Sequence, residues 1–584
     1  MTARRLARAL AVGVPVAFLA IFFVAPVAAL VVHGLLPGER IPGIPAGDPV
    51  LEILARRSTL DALWRTLAQA LAATVCALAL GVPGAYVLYR TSFPGRRILR
   101  AVVAVPFVLP TVVVGVAFRA VLAPSGVLGF LGLDRSPWAL LAALVFFNYS
   151  VVVRVVGPAW AALDPRPEQA ARTLGASPWR ALRTVTLPAL APAITSAGAL
   201  VALFCATSYG IVRSLGPLGW STLETEIWRL GTRNLDLRGA AVLSIVQIAV
   251  VVAATLLVAR SRRPAGRARP VATPPLDLRS PGTLGAAALT AAVVAGLLIA
   301  PMLGLVERSL RAADGSWTLD HYRALAGDGG GALPRSVLDA AELSLRSAVD
   351  ATLLALVVGL LAAVVIAGRP GAGELVARGG AGPGAHGAAA ARAGGADRGR
   401  GAGRRPAGAG RGRALLDTLV MLPIGVSAVT VGFGLVLLSG WLPVDLRGSP
   451  LAVPIAQAVV AVPLVVRTVV PVLRSVPARQ REVAATLGAS PRRVLLTVDG
   501  PALLRAGGVA TGFAFAVSMG EFGATSFLAR STDPTLPVAV VRLLGRPGID
   551  SQGTAMAAAV LLAALTATVM ALAERARAEG DAGW

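Results

Sequence analysis

The stretch EQAARTLGASPWRALRTVTLPAL at residues 168–190 returns in altered form as REVAATLGASPRRVLLTVDGPALL at residues 481–504. Each copy begins with good helix formers, is interrupted by a glycine, resumes at a Ser-Pro pair and reaches a second proline. The interrupting glycines are Gly175 and Gly488, and the second prolines are Pro188 and Pro501. Glycine after a helix and proline in the first turn of the next are common helix boundaries. The pattern predicts a short helix, a turn and a second short helix, followed by a long helix that opens at the second proline.

These two copies belong to a duplication of the chain. The string TLGASP occurs at residues 173–178 and 486–491, an offset of 313 residues. At this offset two further pairs match, namely Pro110 with Pro423 and Gly210 with Gly523. Upstream, Gly81 matches Gly359 at an offset of only 278. The difference of 35 residues (313 minus 278) predicts an insertion in the second half. We therefore predict a first repeat at 1–259, a linker at 260–282 and a second repeat at 283–584.

The insertion is visible in the composition of residues 369–413, which are almost entirely Gly, Ala, Arg and Pro. Such a composition buries too little apolar surface to fold, so the segment is predicted to be a disordered insert on the cytoplasmic side. A basic tether attracted to anionic lipid or nucleic acid would have this composition. A low-complexity expansion of a GC-rich coding sequence, or a locally wrong reading frame, would have it as well.

The overall composition is that of a membrane protein, because 55% of the 584 residues are hydrophobic and only 15% are charged. A helix that crosses the hydrocarbon core needs about 20 mostly apolar residues. The chain has twelve such stretches, at 11–36, 62–89, 100–123, 137–162, 188–210, 237–259, 283–306, 338–367, 414–439, 450–474, 502–526 and 553–574. These stretches predict an all-α integral membrane protein with about twelve transmembrane helices. The two six-helix repeats run parallel, since six crossings return the chain to its starting side.

Arginine clusters between the apolar stretches predict the orientation. Short cytoplasmic loops are rich in basic residues, and here every second loop is basic, as in residues 90–100, 166–183 and 260–269. The N-terminal cluster of Arg4, Arg5 and Arg8 is on the same side. Both termini are therefore predicted to be cytoplasmic. The first apolar stretch is longer than the 7–15 apolar residues of a signal peptide and is predicted to be retained.

The net charge of +25 arises without any lysine, so all 55 basic residues are arginine. The phosphate-binding loop of P-loop ATPases needs a lysine, and this chain is therefore not predicted to hydrolyse ATP in that way. Loops and the insert account for the excess charge, so no nucleic-acid partner is expected. The three histidines, His33, His321 and His386, lie far apart in the sequence. They are predicted to be surface or headgroup-level residues, and neither a metal site nor a cofactor is expected.

The duplicated stretch resembles the coupling loop of permease subunits of binding-protein-dependent ABC importers, whose pattern is E-A-A-x3-G-x9-I-x-L-P. The matching positions are Gln169, Ala170, Ala171, Gly175, Val185, Leu187 and Pro188 in one copy, and Glu482, Val483, Ala484, Gly488, Val498, Gly500 and Pro501 in the other. The first copy has Gln for the leading Glu, although Glu168 is its neighbour, and the second departs at Val483 and Gly500. The resemblance implies the type I ABC importer permease fold. It also implies that each loop contacts one subunit of a separate ATPase dimer, so the chain is not itself an enzyme.

Over nearly its full length the chain is similar to the fused two-domain permeases of thiamine and ferric-iron importers. The segments that carry this similarity are FPGRR at 93–97, FFN at 146–148, SLGPLGWSTLETEIWRL at 214–230, GEFGA at 520–524 and TLP at 535–537. The third of these is most similar to the thiamine branch, which implies uptake of thiamine or thiamine phosphate. Ferric iron is the alternative, followed by sulfate, molybdate, polyamine and phosphonate-like substrates. The resemblance further implies an external solute-binding protein and a location in the lipid of the bacterial inner membrane.

Polar residues in apolar stretches are costly and often mark a transport path. The candidates for substrate contact are Asn148, Tyr149, Ser208, Tyr209 and Glu521. Ser208 and Glu521 are equivalent at the offset of 313, and we expect both at the outer ends of their helices, facing the axis between the repeats. Glu521 would suit a cation, but it would equally serve to cap an outer loop or bind the receptor protein. Asn148 is also explained by a hydrogen bond between helices.

Two other classes of protein fit less well. An ion-driven secondary transporter also has twelve helices in two halves, but it needs ionisable residues along its path and leaves the two repeated loops unexplained. A membrane-embedded enzyme needs a cluster of His, Cys or carboxylate side chains, and the sequence has no such cluster.

Overall fold

The computed structural model describes residues 3–36, 48–261, 274–367, 407–441, 449–546 and 548–582. Within these residues the chain is built from helices, with isolated β-bridges at Ser92–Pro275 and Arg311–Trp317. The helices of the first half are α1 (Ala3–Leu19), α2 (Ala25–Leu35), α3 (Val50–Ala55), α4 (Arg57–Ala85), α5 (Arg96–Ala104), α6 (Thr111–Leu122), α7 (Pro137–Ala161), α8 (Arg166–Thr173), α9 (Pro178–Ala181), α10 (Leu187–Ala206), α11 (Gly210–Leu215), α12 (Leu223–Arg229) and α13 (Leu237–Ser261).

The second half repeats this order of long and short helices. Its helices are α14 (Pro281–Ala292), α15 (Ala300–Ser309), α16 (Asp320–Arg323), α17 (Val337–Ile366), α18 (Ala407–Met421), α19 (Ala428–Ser439), α20 (Ala452–Ser475), α21 (Ala478–Thr486), α22 (Pro491–Val494), α23 (Gly500–Gly520), α24 (Thr525–Leu528), α25 (Leu536–Leu544) and α26 (Ile549–Ala582). The chain is thus an all-α membrane protein of about twelve spans. Ten of its described helices are long and apolar enough to cross a membrane.

Two of the twelve predicted spans are not continuous helices. The span predicted at 100–123 consists of Arg96–Phe107 and Thr111–Leu122, which meet at an angle of 105°. The span predicted at 414–439 consists of α18 and α19, separated by a 3₁₀ turn at Leu422–Gly425. Proline causes both breaks, because it has no N–H to donate and its ring clashes with the preceding turn.

The break also corrects the predicted pairing of prolines. Pro106 is the second residue of the first 3₁₀ turn, and Pro423 is the second residue of the other. The helices that follow begin at Thr111 and Ala428, an offset of 317 rather than 313. Pro423 therefore corresponds to Pro106, not to Pro110 as predicted. Upstream of this break, the second half therefore has four more residues than the pairing of Pro110 with Pro423 indicated.

The duplication is evident in the packing of the two halves. Helices α4, α7 and α10 pack together in the first half, as α17, α20 and α23 do in the second. A Cβ added at Gly81 would lie 2.7 Å from Val152, and one added at Gly359 would lie 2.7 Å from Val465. Glycine therefore permits the same close approach of two helices in each half, at the two offsets found in the sequence.

The first span of each half packs against the opposite half. Helix α1 lies against α17, and α2 lies against α19. In return α14 packs on α4, and α15 packs on α6. The linker predicted at 260–282 is therefore a boundary in the sequence but not in the packing, because each half buries its partner's first helix. Of the predicted insert, residues 369–406 lie outside the described residues, whereas 407–413 form the beginning of α18.

Candidate functional site

The first copy of the duplicated stretch forms a helix-turn-helix at the end of the fourth span. Helix α8 ends at Thr173, and Gly175 has φ +89°, a conformation that glycine adopts without steric cost. The Ala176 amide then donates to the Ala171 carbonyl at 3.0 Å, which closes the turn. The Ser177 hydroxyl accepts from the Arg180 amide at 3.3 Å and caps α9.

The second copy has the same backbone. Gly488 has φ +81°, and the Ala489 amide donates to the Ala484 carbonyl at 3.0 Å. The Ser490 hydroxyl accepts from the Arg493 amide at 3.4 Å. The two glycines and the helix-turn-helix predicted from the repeat are thus present in both halves. Because both units follow the fourth span of their repeat, they lie at the same end of the helix bundle.

Each unit is attached to the following membrane helix by one side-chain bond. In the first copy the Thr186 hydroxyl donates to the Glu168 carboxylate at 2.9 Å. In the second, Arg481 donates from Nε to Asp499 Oδ1 at 3.0 Å, with Nη2 at 2.9 Å. Both bonds join residues 18 apart, and the partners are equivalent at the offset of 313. Glu168 therefore holds the loop to the following helix. It does not replace the leading Glu of the pattern, because Gln169 occupies that position.

Both units expose an apolar side chain at one pair of equivalent positions. Gln169, Ala170 and Glu482 are exposed, and Ala171 and Ala484 are half-buried. Just before the glycines, Leu174 is 88% exposed and Leu487 is 81% exposed. Sequence reasoning did not single out these two leucines, although the repeated TLGASP string contains both. An apolar side chain exposed at equivalent places on two polar loops is typical of a protein contact.

The long helix after each unit begins earlier than the sequence predicted. A single continuous span runs from Pro178 to Ala206, and it includes a wide π-helical turn at Leu182–Thr186. The second copy has the same turn at Leu495–Asp499. Pro188 and Pro501 lie just after these turns, where a proline cannot donate to the regular i−4 carbonyl. The two prolines therefore lie inside a continuous helix next to its wide turn, and no new helix begins at them.

The two halves meet at a pair of stacked aromatic rings. Tyr209 and Phe522 are equivalent at the offset of 313, and their ring centroids lie 5.0 Å apart with planes 22° from parallel. Both side chains are buried. Next to these rings, Gly520 of the second half lies close to Pro110 of the first half, since a Cβ added at Gly520 would be 3.1 Å from Pro110. Because equivalent residues touch each other, the pseudo-twofold axis between the repeats passes through this stack.

Glu521 lies beside the stack as the cap of a short helix. Its carboxylate accepts from the Ala524 amide at 2.7 Å and from the Thr525 amide at 3.0 Å. The position next to the axis agrees with the prediction, and the bonding is that of the capping alternative. Ser208, its equivalent, is buried, and its hydroxyl has no hydrogen-bond partner among the described residues. This hydroxyl is an unused polar group next to the axis.

A second carboxylate is buried where the halves meet. The Glu224 carboxylate, in the short helix α12, accepts from Gln247 Nε2 at 3.0 Å and from the Ser427 hydroxyl of the second half at 2.6 Å. Burial raises the pKa of Glu224. From the sequence Glu224 is expected to face outward, toward a receptor protein or solvent, but the structure buries it completely. The network ties α12 and α13 of the first half to the beginning of α19.

Asn148 and Tyr149 do not join this group at the axis. Asn148 donates to the Leu144 carbonyl at 2.8 Å and to Cys205 Sγ at 3.2 Å, so it links α7 to α10. Tyr149 is fully buried and its hydroxyl lies directly against Gly84 of α4. The structure thus brings Ser208, Tyr209 and Glu521 together and leaves Asn148 and Tyr149 in the packing of the first half. The helix-linking alternative for Asn148 accounts for both of its bonds.

His321 is not at the surface as predicted, because its ring is buried and Nδ1 lies 3.1 Å from the Ser309 carbonyl. In the part of the chain that the structure describes, no three His, Cys, Asp or Glu residues are grouped so as to hold a metal ion.

Comparison with known proteins places both halves in one family. Residues 77–263 and 403–576 match the family described as binding-protein-dependent transport system inner membrane component. The thiamine transport system permease protein ThiP of Brucella abortus is 25% identical over 535 residues, which cover 88% of each chain. The molybdenum transport system permease protein ModB of Escherichia coli is 33% identical over 222 residues, 33% of this chain and 91% of ModB. A bacterial ABC transporter structure involved in the import of the acidic polysaccharide alginate superposes with a TM-score of 0.36 at 18% identity, covering 43% of this chain and 93% of that one.

Proposed function

The chain belongs to the family of inner-membrane components of binding-protein-dependent transport systems. From this membership we propose that it provides both permease halves of an ATP-driven importer. It is a transport protein. A separate ATPase dimer supplies the energy, and an external solute-binding protein delivers the substrate. The protein lies in the lipid of the bacterial inner membrane with both termini in the cytoplasm. Residues 1–259 and 283–584 serve as two permease subunits joined by the linker at 260–282.

The observation that carries this proposal is the pair of exposed helix-turn-helix units. Each presents a leucine, Leu174 or Leu487, beside the short helix of its loop. Each is also held to a membrane helix, through Thr186 or Asp499, so that a push on the loop reaches the helix. One chain therefore provides two docking points, as a dimeric ATPase requires. Glu168, Gln169, Ala170, Ala171, Gly175 and Pro188, with Glu482, Ala484, Gly488 and Pro501, are the residues that we assign to coupling.

The translocation path is assigned to the interface between the repeats. The stacked rings of Tyr209 and Phe522 close the axis, with the Ser208 hydroxyl and the Glu521 carboxylate beside them. Tilting of the two repeats by the ATPase would separate these equivalent rings. Asn148 and Tyr149 lie in the helix packing of the first half, away from the axis. We assign them no contact with substrate.

Thiamine or thiamine phosphate is the substrate that we propose, because similarity to the Brucella permease extends over 88% of both chains. The molybdenum permease matches only a third of this chain, which supports a shared mechanism and not a shared substrate. Ferric iron is the second candidate from the sequence. Uptake of labelled thiamine and of labelled ferric iron into vesicles containing the permease, ATPase and binding protein separates the two, and uptake of iron alone would contradict the proposal.

Copurification tests the coupling role directly. We expect the double variant L174D/L487D to lose association with the ATPase and ATP-driven uptake, because two carboxylates would be placed in an apolar contact. The conservative variant L174M/L487M keeps the apolar volume and should retain both properties. As a control, Leu51 is exposed to a similar degree outside the two units, and L51D should leave association unchanged. Association of the L174D/L487D protein at the unmodified level would overturn the docking assignment.

A further inference from the structure

A cationic cavity lies on the face of the protein opposite to the two coupling loops. Its volume is about 400 Å³, and five arginines line it, namely Arg119, Arg135, Arg213, Arg229 and Arg233. Arg135 immediately precedes α7 and α8 follows it, so the 25 residues of α7 separate the cavity from the loop. At 1.5 Å per residue, this helix is about 37 Å long, which exceeds the roughly 30 Å thickness of the hydrocarbon core of a bilayer.

Among the described residues, the charge of this cavity is only partly compensated. In the described part of the chain, Arg229 is the one member of the five that pairs with a carboxylate, with Nε 3.0 Å from Glu226 Oε2. The Asp134 carboxylate interacts electrostatically with Arg119. Five guanidinium groups thus face two carboxylates, which leaves an excess of three positive charges. Arginine is expected on the cytoplasmic side of a membrane protein, so orientation in the membrane does not explain a cluster on the opposite face.

Two of these arginines are held in position by one tryptophan. The guanidinium carbons of Arg213 and Arg233 lie 4.8 Å and 5.5 Å from the ring centroid of Trp228. A guanidinium stacked on a ring is fixed in its plane while its N–H edge stays free to donate two parallel hydrogen bonds to two oxygens of a carboxylate or phosphate group. Arg135 has φ 48° at the cavity wall, a conformation that is uncommon for a residue other than glycine.

The cavity also borders the axis between the repeats. Val541 and Leu544 of α25 in the second half line it together with the first-half arginines. The Arg213 amide donates to the Tyr209 carbonyl at 2.9 Å, so Arg213 lies one helical turn beyond the stacked rings. A ligand held here would lie at the outer entrance of the path and not on a remote surface.

We propose that this cavity is a binding site for a small oxyanion of the phosphate class, at the outer entrance of the translocation path. The five arginines attract an anion, so the ligand contributes a negative charge that neither bare thiamine nor bare ferric iron carries. Its role in transport rests on the proposed function, whereas the binding itself does not. The anion is either free in the outer medium or a phosphate ester on the transported molecule.

Calorimetry on the purified full chain in nanodiscs tests this site, with inorganic pyrophosphate, thiamine diphosphate and thiamine as probes. Pyrophosphate is expected to bind, and R213Q/R233Q should weaken its binding at least about tenfold, because each variant position removes charge-assisted hydrogen bonds. Tighter binding of thiamine diphosphate than of pyrophosphate would identify the anion as part of the transported molecule. Equal binding of the two would identify a free anion, and both results support the site.

The matched control is Arg311, which stacks on Trp317 at 5.0 Å outside the cavity. R311Q should leave pyrophosphate binding within about twofold, because Arg311 does not line the cavity and pairs instead with Glu307. Absence of pyrophosphate binding, or equal binding by R213Q/R233Q and the unmodified chain, would overturn the proposal. So would an R213Q/R233Q protein that binds pyrophosphate normally but no longer binds an external partner protein. Failure of the ATPase copurification would refute the proposed function and leave this measurement unaffected.

Discussion

The two helix-turn-helix units have the same backbone but opposite chemistry in the bond that holds them to the membrane. A carboxylate on the loop, Glu168, meets a hydroxyl on the helix, Thr186, in the first half. A guanidinium on the loop, Arg481, meets a carboxylate on the helix, Asp499, in the second. The position of the bond is the same in both halves, while the loop residue is an acid in the first and a base in the second.

This difference shows which property of the loop matters. The unit has to be anchored at this position of the helix, and either a hydrogen bond or an ion pair meets that need. The energies differ, however. Arg481 and Asp499 are only 14% and 5% exposed, and a buried charge left without its partner costs far more than a lost neutral hydrogen bond. The second unit should therefore be the more sensitive of the two to loss of its brace.

Breaking the second brace should have the largest effect. Asp499→Ala leaves the Arg481 guanidinium nearly buried without a carboxylate, at a cost of about 3 kcal/mol. The bond from Arg481 to the Leu473 carbonyl remains and does not replace a charged partner. We expect faster hydrogen exchange at residues 478–499 and weaker association with the ATPase, while the first unit keeps its exchange rates.

Removing both charges is the control for this experiment. R481M/D499L leaves no unpaired charge, and such apolar replacements of buried pairs are often neutral or better. The double variant should therefore exchange more slowly than Asp499→Ala alone. If the double variant exchanges as fast as the single variant or faster, the brace is not held by the charge pair.

The turn glycines should show the opposite pattern, with equal effects in the two units. Gly175→Ala and Gly488→Ala place a Cβ on residues with φ +89° and +81°, at a cost of about 1–2 kcal/mol each. The space around both positions is open, so only backbone strain contributes. Hydrogen exchange of each unit measures this cost. Gly507 also has open space but lies within α23, and Gly507→Ala should be neutral or stabilising.

In the two helix-turn-helix units, the sequence predicts the features that depend on residue type alone. Gly175 and Gly488 are visible because few other residues tolerate a positive φ, and the two repeats are visible from the offset of 313. The brace was not predicted, because it joins residues 18 apart with unlike side chains. Pro188 and Pro501 suggested helix starts, but a π-helical turn accommodates a proline inside a continuing helix.

At the axis the same limit applies. Polarity within apolar stretches selected Ser208, Tyr209 and Glu521, which the structure brings together, and also Asn148 and Tyr149, which it does not. A buried polar residue looks the same in sequence whether it faces a path or a neighbouring helix. Two further features depend on tertiary packing and leave no local signal in the sequence. One is the packing of each first span against the opposite half, and the other is the cavity lined by α6, α11, α12 and α25.

The first brace should be weaker than the second. Thr186→Val keeps the shape of the side chain and removes its hydrogen bond to Glu168, at a cost of about 1 kcal/mol. Exchange at residues 166–186 should rise less than exchange at residues 478–499 does in Asp499→Ala. Thr184, whose hydroxyl bonds only the Arg180 carbonyl of its own helix, is the control position, and Thr184→Val should change exchange very little. A larger effect of Thr186→Val than of Asp499→Ala would contradict the ranking of the two braces.

Transferring the second brace into the first unit should have the smallest net effect and gives the sharpest test of positional equivalence. Thr186→Asp alone places a second carboxylate beside Glu168, and Glu168→Arg alone removes the acceptor of the Thr186 hydroxyl, so each single variant should weaken the loop. In E168R/T186D the two charges are complementary, as they are at the same positions of the second unit. Its association with the ATPase and its exchange rates should return to within about 0.5 kcal/mol of the unmodified chain, as is usual for a substitution without lost interactions. The coupling energy from this double-mutant cycle measures the bond itself. If the effects of the two single variants simply add, the loop positions are not equivalent, and the shared backbone of the two units does not imply a shared anchor.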